Sequence, residues 1–100
     1  MFIKLNHQSL DVYKAVRELI KEIYFYSIKL PSDEKFNMVQ QIRRAALSIK
    51  LNLAEGASRR SPAERKRFIE ISRGSVIEVD TIFETAVDLK YFNSRINKDR

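Results

Sequence analysis

The sequence predicts an all-α fold: an antiparallel up-and-down helical bundle of three long helices plus a short or truncated fourth, in one domain over residues 1–100. Three observations point there. Only two glycines and two prolines occur in 100 residues, so the chain has few places to turn and its elements must be long. Apolar residues recur at three-and-four spacing over three stretches, the period of a helix with one buried face. Hydrophobic residues make up 44% and charged residues 32%, which is enough for one core and a solvated exterior.

The first helix is expected over about residues 10–29. Tyr13, Val16, Ile20 and Ile23 form its seam, and Val12, Leu19 and Tyr26 widen the stripe. Lys14, Arg17, Glu18, Lys21 and Glu22 face away. Ser9 is a candidate N-cap, and Pro31 ends the helix by disfavouring helical geometry at Leu30.

The second helix, about residues 33–56, is expected to open at Ser32. Asp33 and Glu34 follow where the helix dipole favours negative charge. Val39, Ile42, Ala46, Ile49 and Leu53 make its seam, and Gly56 is the natural stop.

The third helix, about residues 62–90, starts at Ser61-Pro62-Ala63-Glu64. Ser61 caps, Pro62 stands where its missing N–H costs nothing, and Glu64 completes a capping box. Its seam is Phe68, Ser72, Ser75, Val79, Ile82, Ala86 and Leu89.

The second and third helices form a hairpin about a turn near residues 57 to 60. Facing positions then have numbers summing to roughly 118, which sets Ala45 and Ala46 against Ser72, Arg73 and Gly74. Gly74 reads as a packing notch that lets the two backbones approach. After Tyr91-Phe92 only residues 93–100 remain. Asn93 or Ser94 caps at most a short further helix, leaving apolar seams for other chains to cover.

Chemistry is hard to find. The absence of cysteine removes disulfides, thiolate metal sites and a thiol nucleophile, and fits a reducing compartment. His7 is the only histidine, so neither a His-based metal site nor a Ser–His–Asp arrangement can be assembled. Di-metal helical bundles need a Glu-x-x-His pair that is missing, and Glu78, Asp80, Glu84 and Asp88 read as a solvated face. Two glycines cannot build a phosphate-cradling loop. No catalytic, metal or cofactor site is expected. No apolar run reaches the ~20 residues of a membrane span. Met1-Phe2-Ile3-Lys4-Leu5 lacks the layout of a signal peptide, so a cytoplasmic protein without membrane attachment is expected.

Charge is where the sequence speaks. The net charge is +6, and all of it lies between Arg43 and Arg73, where nine Lys/Arg meet three Glu. The rest of the chain is neutral, with ten of each sign. Arg59 and Arg60 sit in the expected turn, and Arg65, Lys66 and Arg67 follow within the next helical turn, making one basic knob. Such clusters bind phosphate by counterion release, so these five residues are the candidate RNA- or DNA-binding set. Arg43, Arg44, Glu55, Arg73 and Gly74 form a second set, read as structural or intersubunit. Tyr24, Phe25, Tyr26 and Phe36 suit core or interface better than base stacking. A protein-interaction scaffold, with its arginines in subunit or partner ion pairs, remains the alternative to nucleic-acid binding.

Several segments carry a family resemblance. They are Gln41-Ile42-Arg43-Arg44-Ala45-Ala46-Leu47-Ser48-Ile49, Asn52-Leu53-Ala54-Glu55-Gly56, Arg60-Ser61, Arg67-Phe68-Ile69 and Ile71-Ser72-Arg73-Gly74-Ser75. Over residues 9–92 the chain resembles the small bacterial four-helix-bundle proteins first noted as products of intervening sequences in 23S ribosomal RNA genes. The resemblance implies an antiparallel four-helix bundle assembled as a ring, typically a pentamer, with no enzymatic activity attached. It extends to the accessory protein of diversity-generating retroelements, a basic pentamer implicated in binding nucleic acid and a reverse transcriptase. Two departures stand out. Lys50 occupies a position where the family often has proline, so the second helix is expected to run straighter, and the family's full fourth helix has no counterpart here.

Overall fold

A computed structural model describes residues 11–92. Among them are three α-helices and no strand: α1 (Asp11–Ser27), α2 (Met38–Ala57) and α3 (Pro62–Asp88), with a 3-10 turn over Ser32–Glu34. The proposed cap Ser9, His7, and Asn93 and Ser94 lie outside the described residues.

Periodicity places the core where the spacing predicts. Ile23, Ile42, Ala46 and Ile49 are essentially fully buried, with Val16, Ala45 and Val79 around them. Burying a side chain such as Ile stabilises a fold by about 1.5–3 kcal/mol, so these isoleucines hold α1 and α3 onto the central α2. A second apolar cluster closes one end. Leu30, Met38, Ala86 and Phe92 pack there, with Tyr26 edge-on to the rings of Phe83 and Phe92.

α2 begins five residues later than expected. Ser32, Asp33 and Glu34 form a separate 3-10 turn behind Pro31, and α2 proper starts after Asn37, whose side chain makes no capping hydrogen bond. The acidic pair therefore complements the short turn. Once started, α2 runs unbroken through Lys50, as expected without a proline, and Lys50 lies over the Tyr13 ring at 6.0 Å. α3 starts as the sequence dictates: Ser61 is extended and its hydroxyl accepts from the Glu64 amide at 3.3 Å.

The register of the α2–α3 hairpin differs from expectation by about one helical turn. The Ser72 hydroxyl donates to the Ile49 carbonyl at 2.7 Å, and the Ser75 hydroxyl donates to the Ser48 hydroxyl at 2.8 Å. Nearer the tip, an added Cβ on Gly56 would stand 3.0 Å from the Phe68 Cβ. Facing positions therefore sum to between 121 and 124. Part of this offset comes from α2 continuing through Gly56 to Ala57, which moves the turn toward Ser58–Ser61. Close approach rests on Ala45, Ala46, Ser72 and Ser75, all buried.

The two glycines thus exchange roles. Gly56, expected as a stop, is the notch against Phe68. Gly74, expected as the notch, is exposed, and nothing lies within 4 Å of the Cβ it lacks.

α3 ends with a Schellman motif built without glycine. The Tyr91 amide donates to the Ala86 carbonyl and the Lys90 amide to the Val87 carbonyl, while Lys90 takes φ 66°. Leu89 falls on the cap and is half exposed, off the seam. Between α1 and α3, which scarcely touch, runs an apolar groove of ≈ 390 Å³ lined by Ile23, Ile49, Val79 and Phe83 and edged by Asp80, Glu84 and Asp88.

Candidate nucleic-acid interface

The hairpin tip is organised around one ring. Phe68 is half-buried in the first turns of α3, held by the contact with Gly56. The Arg59 guanidinium lies 5.0 Å from its centroid and that of Arg67 5.9 Å, so one aromatic ring carries two cations. Arg59 also pairs with the Glu55 carboxylate one turn back on α2, and its Nε is buried without a hydrogen-bond partner among the described residues. Arg65 reaches back across the turn and donates to the Arg59 carbonyl at 2.9 Å.

The five predicted residues therefore share one end of the hairpin but stand in different states. Arg59 is half-buried and committed to Glu55 and Phe68. Arg65 is exposed yet serves the turn backbone. Lys66 is exposed and lies 3.9 Å from Glu70, the reach of a weak surface pair. Arg67 is exposed over Phe68. Arg60 is exposed and has no hydrogen-bond or ion-pair partner among the described residues. Arg60, Lys66 and Arg67 are the cations most available to a ligand.

Their placement is electrostatically unfavourable for the chain alone. Arg65, Lys66 and Arg67 occupy the first turns of α3, where the helix dipole is positive and carboxylates are preferred. Glu64 is the sole acid of that first turn. The helix start itself offers few free amides, since residue 62 is proline, the Glu64 amide is held by the Ser61 hydroxyl and the Arg65 amide by the Ser61 carbonyl, so the three side chains carry the surface suited to anions.

The second predicted set divides. Arg43 is half-buried and structural: its Nε donates to the Ser27 hydroxyl at 2.9 Å, and its guanidinium lies 4.7 Å from the Tyr24 centroid. Ser27, 1% exposed, itself donates to the Tyr24 carbonyl at 2.8 Å. α1 has no basic residue in its own last turn, so Arg43 brings a cation to that helix end from α2. Glu55 serves Arg59. Arg44, Arg73 and Gly74 are exposed, and neither arginine has a partner among the described residues.

Sequence reasoning missed Phe68 as an organiser of the tip, and Ser27 as a partner of Arg43. Both are ordinary seam residues in a helical period, and only the cross-helix contacts reveal their roles. Of the aromatic group, Tyr24 and Tyr26 pack, whereas Phe25 and Phe36 are exposed, with Lys29 and Lys35 over their rings. Among the described residues no cluster of His, Asp and Glu is placed to hold a metal ion, and no helix is long and apolar enough to cross a membrane.

Fold and surface together define a small all-helical bundle protein with a cation-dense hairpin at one end. The family described as 23S rRNA-intervening sequence protein matches residues 8–99, and the chain belongs to that family. No curated protein matches it.

Proposed function

We propose that the protein is a non-enzymatic, homo-oligomeric adaptor of the cytoplasm that binds nucleic-acid backbone through its α2–α3 tip. The observation that carries this reading is the crowding of Arg65, Lys66 and Arg67 at the start of α3, beside Arg60, with few carboxylates to neutralise them. A helix start that lowers the chain's own stability by gathering cations is compensated when phosphates bind there. Backbone contacts of this kind position a nucleic acid without reading its sequence, so RNA and DNA are both candidates. Assembly of several copies raises the affinity of a weak basic tip through effective concentration.

Two finer expectations belong to this reading through family membership. The short or truncated fourth helix of an antiparallel bundle would lie in the apolar groove between α1 and α3, and the assembly would be a ring, typically of five. The same groove favours a second reading, a protein-interaction scaffold, because its apolar floor and carboxylate edge suit a protein partner and repel nucleic acid.

The test is binding of generic RNA and duplex DNA across a salt series, by wild type and by Arg60→Glu/Lys66→Glu/Arg67→Glu, with mass followed by light scattering. Salt-steep binding that the variant loses at unchanged mass supports the proposal. Absence of binding at low salt overturns it and leaves the scaffold reading.

A further inference from the structure

Of the three cations at the tip that are available to a ligand, one is held over an aromatic face. Arg60 has no hydrogen-bond or ion-pair partner among the described residues, and Lys66 has only the weak pair with Glu70 at 3.9 Å. Arg67 differs from both. Its guanidinium lies over the Phe68 ring, 5.9 Å from the centroid, and the residue is exposed to solvent. The ring beneath it is a fixed support, because Phe68 is half-buried with its Cβ packed on Gly56. Arg59 lies over the same ring at 5.0 Å and is itself held by Glu55, while Arg65 is turned back onto the Arg59 carbonyl.

Phosphate binding alone does not call for this arrangement. A phosphate is held by charge, which the ammonium of a lysine supplies without any ring. A guanidinium over a ring adds a flat, weakly hydrated cation in a set position. Unpaired nucleobases stack on such surfaces, on aromatic rings and guanidinium planes alike. A base inside a duplex does not, since its faces are covered by its neighbours and only its edges reach the grooves.

We infer, resting on the nucleic-acid reading of the tip proposed above, that the tip engages unpaired nucleotides: one base stacks on the Arg67 guanidinium above Phe68, and flanking phosphates meet Arg60 and Lys66. Stacking of this kind tolerates any base, so it selects the state of the strand and not its sequence.

Arg67→Lys keeps the charge, removes the flat face and leaves an equally good helix former, so it separates stacking from phosphate contact. Wild type and this variant are titrated with a single-stranded oligodeoxyadenylate, an abasic oligomer of the same length and a duplex of the same length. A salt series is run for each, and helicity is followed by circular dichroism. Wild type is expected to bind the single strand about tenfold more tightly than the abasic oligomer, the scale of one stacked base. Arg67→Lys is expected to lose that margin, while its affinity for the abasic oligomer and the duplex, and its salt slopes, stay as in wild type. Equal affinity of wild type for the two single strands, or an unchanged margin in Arg67→Lys, overturns the inference and leaves backbone binding by the tip standing. A loss shared equally by all three ligands makes Arg67 a phosphate contact only and overturns it likewise. If none of the three binds at low salt, the inference and the reading beneath it fall together.

Discussion

The same substitution at the two glycines should move stability in opposite directions. In a helix interior, replacing glycine by alanine stabilises by about 0.8–1 kcal/mol. At Gly74 the added methyl meets nothing within 4 Å, so that gain should appear nearly whole. At Gly56 the methyl would stand 3.0 Å from the Phe68 Cβ and 3.4 Å from the Arg65 carbonyl oxygen. Both atoms are fixed to the α3 backbone, so relief requires α3 to shift, and overpacking of this kind costs about 1–3 kcal/mol. Gly56 also lies in the last turn of α2, where the propensity gain is smaller. The net expectation is a loss of about 1–2 kcal/mol for Gly56→Ala against a gain of about 1 kcal/mol for Gly74→Ala. Urea unfolding, at dilutions where both variants and wild type are monomeric, gives the two values. In thermal unfolding each kcal/mol corresponds to about 4–8 °C for a domain of this size. Two shifts of the same sign would refute the packing argument at the hairpin tip.

Other consequences follow from named contacts. Arg43→Ala should destabilise by about 1–3 kcal/mol, since a charged hydrogen bond to buried Ser27 and the stacking on Tyr24 go together; Arg43→Lys should restore little, because an ammonium has no planar face. Denaturant titration of both variants checks this. Lys90→Gly should stabilise by about 1 kcal/mol by relieving the left-handed backbone at the end of α3; an unchanged unfolding midpoint would count against the Schellman geometry. The Tyr91 hydroxyl donates to the Glu34 carboxylate at 2.8 Å; that bond, with partial burial and the charges of Glu34 and Asp33, raises its pKa above the ordinary 10.0. A raised folded-state pKa means the contact's stabilisation is complete below pH 10.0 and is lost as pH rises through the folded value. Wild type should therefore converge with Tyr91→Phe in alkaline unfolding, and parallel curves would exclude the contact. Within the basic tip, Arg60→Glu should weaken nucleic-acid binding more than Arg59→Glu and flatten the salt slope by about 1, since Arg59 is already held by Glu55 and Phe68.

Three helices, their buried faces and the place of the charge are legible in the chain before any packing is known. Three-and-four spacing is a property of the single helix, so Ile23, Ile42, Ile49 and Val79 were legible as core before any packing was known. Ser61-Pro62-Ala63-Glu64 announced the start of α3 because capping is local chemistry. The basic stretch was legible because net charge needs only counting. Where local signals misled, reading failed: Ser32-Asp33-Glu34 has the chemistry of a helix start but forms only a short turn, and α2 begins after Asn37 instead.

How the helices meet is not written in any one of them. A shift of one turn between α2 and α3 leaves each seam apolar, so hydrophobic pattern alone fixes such a register poorly. Contacts with definite geometry fix it instead: Ser72 on the Ile49 carbonyl, Ser75 on Ser48, and Phe68 against Gly56. That register exchanged the roles of the two glycines. The packing of α1 on α2 likewise separates Arg43, bound to Ser27, from Arg44, which faces solvent one residue away. Neighbouring residues on a helix point 100° apart, so identical side chains in the pair Arg43-Arg44 acquire different functions only once the partner helix is in place.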